Sequence, residues 1–494
     1  MRKEAIMRIL NLHSTRTRFF SAAVAAALLA WLPVAAQQKL DRSKIPPPGK
    51  QPVLRVPAWT KSKLANGADL IVSEKHDLPL VSFNITFIGG SNQFDAPDRA
   101  GIGSVVASMM SEGTKTRDGD ALSNALQLLG TTVNTNIGGE TGSIGFLSTT
   151  SKFAPTLDVL ADMLVNSTFP ADSLERLRAQ RLVALNQAKD RTTAIAAVVF
   201  PKLLYAETHP YGRSTTERSM KAITRDEVIA FHKAYFQPGR AIVTVVGDVS
   251  ASAVKPVVER ALAGWTAGGE KPAFSYPRIP ERGPTTIYLV DKPGAAQSTF
   301  ALGNPGPPRS TPDYFALQVM NRILGGQFQS RLNANIREDK GYSYGVTSAF
   351  SYGKGPGAFR AGGDVVTAKS DAALVEFMKE LKGIGGSRPV TEDELETAKD
   401  GLIQRLPDQF ASVNAVNGAI TGLFVQGLPE DFYQQYSKNV AAITKEDVVR
   451  VAKQYIDLDH LAIVIVGDRA TIETPLKATN IAPVIVLDIE GNRK

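Results

Sequence analysis

Two polar residues one helical turn apart open the chemical reading. Ser104 and Ser108 lie in the stretch from Gly101 to Thr114 (GIGSVVASMMSEGT). Apolar Ile102, Val105, Val106, Met109 and Met110 recur at the three- and four-residue spacing of one helix face. Ser104, Ala107, Ser108 and Ser111 form a small opposite face. Side chains at i and i+4 on a helix can grip one metal ion, with a carboxylate between them to activate a water. A hydrolytic zinc site needs about three protein ligands and an open position. The residue types here do not supply it, because neutral serine hydroxyls are poor zinc ligands and Ala107 cannot accept a proton. His76, His209, His232 and His460 stand at no helical ligand spacing and read as surface or turn residues. The chain has no cysteine, which excludes disulfides, thiolate metal sites and cysteine nucleophiles. No serine sits in a G-x-S-x-G elbow, and Gly353 to Gly357 reads as a hairpin turn rather than a phosphate loop.

The same stretch closely resembles the zinc-site helix of the M16 (pitrilysin/insulinase) metallopeptidases, roughly G-L-x-H-x-x-E-H-M-x-F-x-G-T. Gly101, Met109, Gly113 and Thr114 match it. On this resemblance the two zinc histidines fall on Ser104 and Ser108, and the catalytic glutamate falls on Ala107. The third ligand, a glutamate on a later helix, falls on Gln187 or Asn186. A second motif spans LGGQFQSRL (324–332) and IREDKGYSYG (336–345). It resembles the family's C-terminal-domain signature, roughly G-x-x-S-R-L-x-x-x-L-R-E-x-x-G-L-x-Y. Arg337 and Tyr344 match the family's substrate-contacting Arg/Tyr pair. The chemistry suits them: a fixed multi-donor cation and a phenolic donor can hold a peptide carbonyl and the oxyanion that develops from it.

The resemblance runs from about Ala58 to about Leu476. It implies an α+β fold of two homologous domains, each a mostly antiparallel sheet packed with helices, the M16/LuxS-like metalloenzyme fold. It also implies a non-catalytic subunit of an exported heterodimeric M16 zinc peptidase. Such a chain would hold no metal or cofactor, complete a peptide chamber, and lend Arg337 and Tyr344 to a partner with an intact HxxEH motif and its zinc. The alternative is a peptide- or protein-binding scaffold with no proteolytic role.

An internal repeat fixes the elements that must position these residues. AITRDEVIAFHKAYFQPGRAIVTVVGD (222–248) recurs without a gap as AITKEDVVRVAKQYIDLDHLAIVIVGD (442–468). Each copy reads as a helix capped by Thr224 or Thr444, then an apolar strand ending in Val-Gly-Asp. Strands are expected over 68–74 and 81–88, and paired strands over 131–148. Helices are expected over 118–129, 156–164, 173–190, 194–205 and 310–324. The domains are therefore set at 58–265 and 285–476, joined by a Gly/Pro-rich linker over 266–284 and followed by a tail over 477–494.

At the N-terminus, five arginines and lysines precede FFSAAVAAALLAWLPVAA (19–36), which ends in a small-residue cleavage site. Residues 1–36 read as a signal peptide and 37–57 as an extended Pro-rich arm, giving a periplasmic or secreted protein without a stable membrane span. The 494 residues, 43% hydrophobic and 21% charged, suit a globular protein of several domains. The net charge of +8 is spread out, and no basic block interleaved with aromatics points to nucleic acid.

Overall fold

The computed structural model describes residues 54–266 and 268–493. The signal segment and all of the arm except residues 54–57 lie outside the described residues.

Two six-stranded sheets carry the fold. The first is built from β1 (Thr60–Lys63), β2 (Asp69–Glu74), β3 (Leu80–Ile88), β4 (Asn134–Ile137), β5 (Thr141–Thr149) and β6 (Ala241–Gly247), in the order β1-β2-β6-β3-β5-β4. The second uses β7 (Thr286–Asp291), β8 (Gln297–Pro305), β9 (Ser343–Ser351), β10 (Ala358–Val366), β11 (Ala462–Gly467) and β12 (Val484–Leu487), in the order β12-β7-β11-β8-β10-β9. Apart from the edge strands β1 and β12, the two patterns superimpose. The β2/β6 and β7/β11 pairs are parallel, and the strands beyond them pair antiparallel. The sequence repeat is thus a repeat of topology, and the architecture is the expected α+β one.

Six helices of the first half matter here: α1 (Ile102–Met109), α2 (Gly119–Leu129), α3 (Phe153–Asn166), α4 (Ala171–Ala188), α5 (Thr192–Tyr205) and α6 (Arg225–Tyr235). In the second half they are α7 (Tyr314–Leu324), α8 (Val413–Gln426) and α9 (Lys445–Tyr455). α6 and α9 are the repeated helices. Thr224 and Thr444 each accept the third-residue backbone N–H, while Glu227 and Asp447 reach back to the cap. α2 stops at Gly130, which takes φ +69°. The helix expected from 310 begins only at Tyr314, since Pro312 biases Thr311 away from helical backbone.

Strand alternation explains the packing. Leu70, Val72, Phe83, Ile85, Val243 and Val245 face α1 and α3 in one core. The other face of the same sheet, with Ile71, Ile242 and Val246, shares a core with Val416, Ile420 and Leu423 of α8. In the second sheet Leu289, Phe300 and Ile463 pack with α7 and α9. Its opposite face, with Val290, Ala301, Val464 and Val466, meets Ile195, Val199, Phe200 and Leu204 of α5. Both central strands are therefore covered on both faces, which is why they read as apolar runs, broken in β6 only by the buried Thr244. It follows that α5, inside the expected first domain, covers the second sheet, and α8, inside the expected second, covers the first. The boundary in sequence is not the boundary in packing.

Residues 266–284 form no strand or helix among the described residues, but they do not hang free. The Tyr276 hydroxyl donates to Glu140 (2.8 Å) and accepts from Gln93 (2.8 Å). Glu140, on the β4–β5 turn, also accepts from the Tyr211 hydroxyl and from the Lys354 backbone N–H, 2.9 Å from each oxygen. One carboxylate thus ties together both halves and the segment between them. The expected tail needs correction. Residues 477–494 contain the end of a helix (Arg469–Ala478) and β12, which pairs parallel with β7. The outer edge of β7 presents unpaired backbone groups, and β12 satisfies them. Among the described residues no helix is long and apolar enough to cross a membrane.

Candidate functional site

α1 is anchored at its start by Asp95. One carboxylate oxygen accepts from Gly101 N–H (2.8 Å) and the other from Gly103 N–H (3.1 Å). Burial pushes the Asp95 carboxyl up to about 6, outweighing those two donors, which favour its ionised form. Gly101 takes φ +97°, a conformation glycine adopts freely, and lets the chain turn into the helix. Ile102, Val105, Val106 and Met109 are buried against the first sheet, as the spacing requires. Ala107 is only 6% exposed, so a buried methyl group stands at this position.

The serine face of α1 meets α4, and the side chain that reaches it is Arg181. Its guanidinium donates to Ser104 Oγ (2.9 Å), to the Ser104 carbonyl (3.2 Å) and to Ser108 Oγ (2.8 Å). Ser108 Oγ in turn donates to the Ser104 carbonyl (3.1 Å). Arg181 Nε is buried without a partner, and burial lowers the Arg181 pKa from its usual value. A guanidinium starts so far above neutrality that it stays charged. The expectation for Gln187 is corrected here. Gln187 and Asn186 lie further along α4 and are both exposed, and among the described residues neither hydrogen-bonds to Ser104 or Ser108. The group opposite the serines is a cation rather than an amide.

The second motif divides into residues that build and residues that are presented. Arg331, 4% exposed, binds Glu394 through two nitrogens at 2.6 Å each and also donates to the carbonyls of Arg388 (2.9 Å) and Pro389 (3.2 Å). Leu332 and Ile336 are core residues. Asn333 donates to the Phe328 carbonyl (2.8 Å) and accepts from Val346 N–H (3.3 Å), fastening the glycine loop to β9. Arg337 lies on a π-helical turn (Ala334–Asp339), with its guanidinium 4.3 Å from the centre of the Phe328 ring and Nε 3.2 Å from Glu338. Tyr344 is 88% exposed. It stands on a β-bulge: Ser343 faces Val365 and Val346 faces Gly363, so Tyr344 and Gly345 share the single residue Asp364. The Ser343 hydroxyl donates to the Asp364 carbonyl (2.5 Å) and holds the bulge in shape. A bulge re-aims the side chain it carries.

Arg337, half-buried, and Tyr344, exposed, thus reach the surface of the second half, while Arg331, Leu332 and Ile336 of the same motif are buried. Phe328, Asn333 and Ser343 escaped the sequence reading. Phe328 and Ser343 fall inside the quoted stretches and Asn333 between them, but nothing in their type or spacing marks them as supports.

The histidines have local structural partners. His209 is fully buried, accepts from Tyr211 N–H (3.1 Å) and stacks between Tyr205 and Tyr276. His232 packs against Phe169 and Phe236. His76 lies 2.8 Å from Asp248, and His460 pairs with Asp457. Among the described residues no three histidine, aspartate or glutamate side chains gather as a metal ion would need.

Two family models match the chain. The family model described as Insulinase (Peptidase family M16) matches residues 70–216, and the one described as Peptidase M16 inactive domain matches 222–402. The chain is 25% identical over 352 residues to an uncharacterized zinc protease, YmxG, of Bacillus subtilis, covering 71% of this chain and 84% of the relative. It is 23% identical over 408 residues to a non-peptidase homolog of Helicobacter pylori, covering 81% and 92%. Among solved structures, a peptidase M16 inactive domain from Pseudomonas fluorescens superimposes with a TM-score of 0.76 at 26% identity, covering 83% of this chain and 98% of that one. The periplasmic protease PqqL of Escherichia coli shares the fold with a TM-score of 0.70 at 16% identity, covering 85% of this chain and 46% of that one.

Proposed function

The chain belongs to the M16 peptidase family, and from that premise we propose that it is the non-catalytic subunit of an exported, two-chain M16 zinc peptidase. It completes the peptide chamber and presents Arg337 and Tyr344 to a peptide cleaved by a partner that carries HxxEH and the zinc. The observation that carries this reading is the asymmetry between the halves. At the first motif, hydroxyls and a guanidinium stand where metal ligands would be needed. At the second, Tyr344 is held out on a bulge and Arg337 is stacked on an exposed aromatic ring.

The division of labour follows from the chemistry. A planar guanidinium supplies directed donors to a carbonyl oxygen, and a phenol adds one more without adding charge. Aimed at an oxygen that gains charge during attack, such donors stabilise the transition state more than the bound peptide. The basic and apolar N-terminal segment supports export to the periplasm or outside the cell.

The test is reconstitution. Capture of the tagged protein from its native envelope is expected to yield a second M16 chain with HxxEH in about equal amount. Peptide cleavage by that chain is expected to rise when the two are mixed. A zinc-bearing M16 chain that cleaves at full rate alone, and forms no complex with this one, contradicts the proposal.

A further inference from the structure

Family membership implies zinc on the serine face of α1, and the residues present do not fit it. A zinc ion there would need lone pairs from Ser104 and Ser108. Both hydroxyl oxygens already accept hydrogen bonds from Arg181, and Ser108 spends its proton on the Ser104 carbonyl. A permanent guanidinium charge at the same spot also repels a divalent cation.

We infer that Arg181 occupies the third-ligand position itself, and that its guanidinium replaces the metal as the positively charged link between α1 and α4. In a metal site of the HxxEH kind the helix bearing the motif contributes two side chains of middle length, and the later helix contributes a carboxylate. Here α1 contributes two of the shortest polar side chains, and α4 contributes the longest cation. The long side chain therefore comes from α4, and its guanidinium meets the two short ones on α1. Position 181 is therefore the place on α4 from which a side chain reaches the space over Ser104 and Ser108. Positions 186 and 187 are more than a full turn further on and are exposed. The link is also chemically of the metal's kind. It is a fixed positive charge, bonded to both i and i+4 of one helix and buried at Nε. The site has exchanged one cation for another rather than lost one, and this holds whether or not a partner subunit exists.

Zinc titration of the full chain distinguishes the positions. Three variants are compared by calorimetry: Ser104→His/Ser108→His, the same pair with Arg181→Glu, and the same pair with Gln187→Glu. Only the set with Arg181→Glu is expected to bind one zinc per chain. Its advantage over the other two should exceed the roughly 10- to 100-fold that a supporting second-shell residue is worth. Equal or tighter binding by the Gln187→Glu set, or tight binding by the histidine pair alone, overturns the inference. A second measurement needs no metal and no large side chain. Arg181→Met, Ser104→Ala/Ser108→Ala and their combination are compared in thermal midpoint. If the guanidinium acts through the hydroxyls, the combined loss is clearly smaller than the sum of the separate losses. Strict additivity overturns the cross-link.

Discussion

His232 shows what burial does to a single ionisable group. Its Nε2 is buried without a partner among aromatic rings, and burial lowers its pKa to about 4. The unfolded chain takes up this proton near pH 6.5, whereas the folded chain resists it down to about 4. The stability present above pH 6.5 is therefore lost as pH falls between those values, by about 3 kcal/mol when complete. Urea denaturation at pH 7.5 and pH 4.5 is expected to show a smaller acid loss for His232→Gln than for the parent chain. An equal loss would mean that the imidazole is solvated. Arg331 makes the opposite case, a buried charge fully met. Arg331→Met leaves Glu394 and two carbonyls without their donor and is expected to cost roughly 3–5 kcal/mol, read by the same method at neutral pH. A cost below about 1 kcal/mol would mean the pair is exposed in solution.

Among the elements, what was legible locally and what was not separate cleanly. Thr224 and Thr444, the acidic residue three places later and the apolar run behind them are all near neighbours in sequence, so the repeated helix and strand could be read directly. The serine face of α1 could be read for the same reason. Arg181 could not, because its partners lie 73 to 77 residues away and a lone arginine on a polar helix looks like a solvated one. The coverage of each sheet by a helix from the other half was invisible too, since an apolar helix does not announce which sheet it will cover. Asn417 on α8 gives this crossover a test. Its amide donates to the carbonyls of Ser82 and Thr244, both at 3.2 Å, on β3 and β6. Asn417→Ala leaves these buried carbonyls without that donor and is expected to cost roughly 1–3 kcal/mol. Hydrogen exchange should report the loss at β3 and β6 in the first half, although the substitution is in the second. Faster exchange confined to α8 would contradict the packing described.

At the scale of the whole molecule the chain is two copies of one topology, tied through α5, α8 and the Glu140 cluster. One copy carries the helix pair α1 and α4 bridged by Arg181, and the other carries Arg337 and Tyr344. The family, the α+β architecture and the two motifs could be read from the sequence because glycines and charged residues at fixed spacing carry them. The bulge under Tyr344 and the ring under Arg337 could not, because each depends on a neighbouring strand or loop. The central claim is that this displayed pair works on a partner's substrate, and one measurement bears on it most directly. Tyr344→Phe and Arg337→Lys are each combined with the zinc-bearing partner, and peptide turnover is measured beside complex formation. Loss of one donor to a developing oxyanion corresponds to about 2.7–4 kcal/mol, a hundred- to thousand-fold in rate. The account predicts that Tyr344→Phe loses turnover on that scale, and that Arg337→Lys, which keeps the charge without the planar fork, is impaired as well, both in an intact complex. Full turnover by both variants in an intact complex would contradict it.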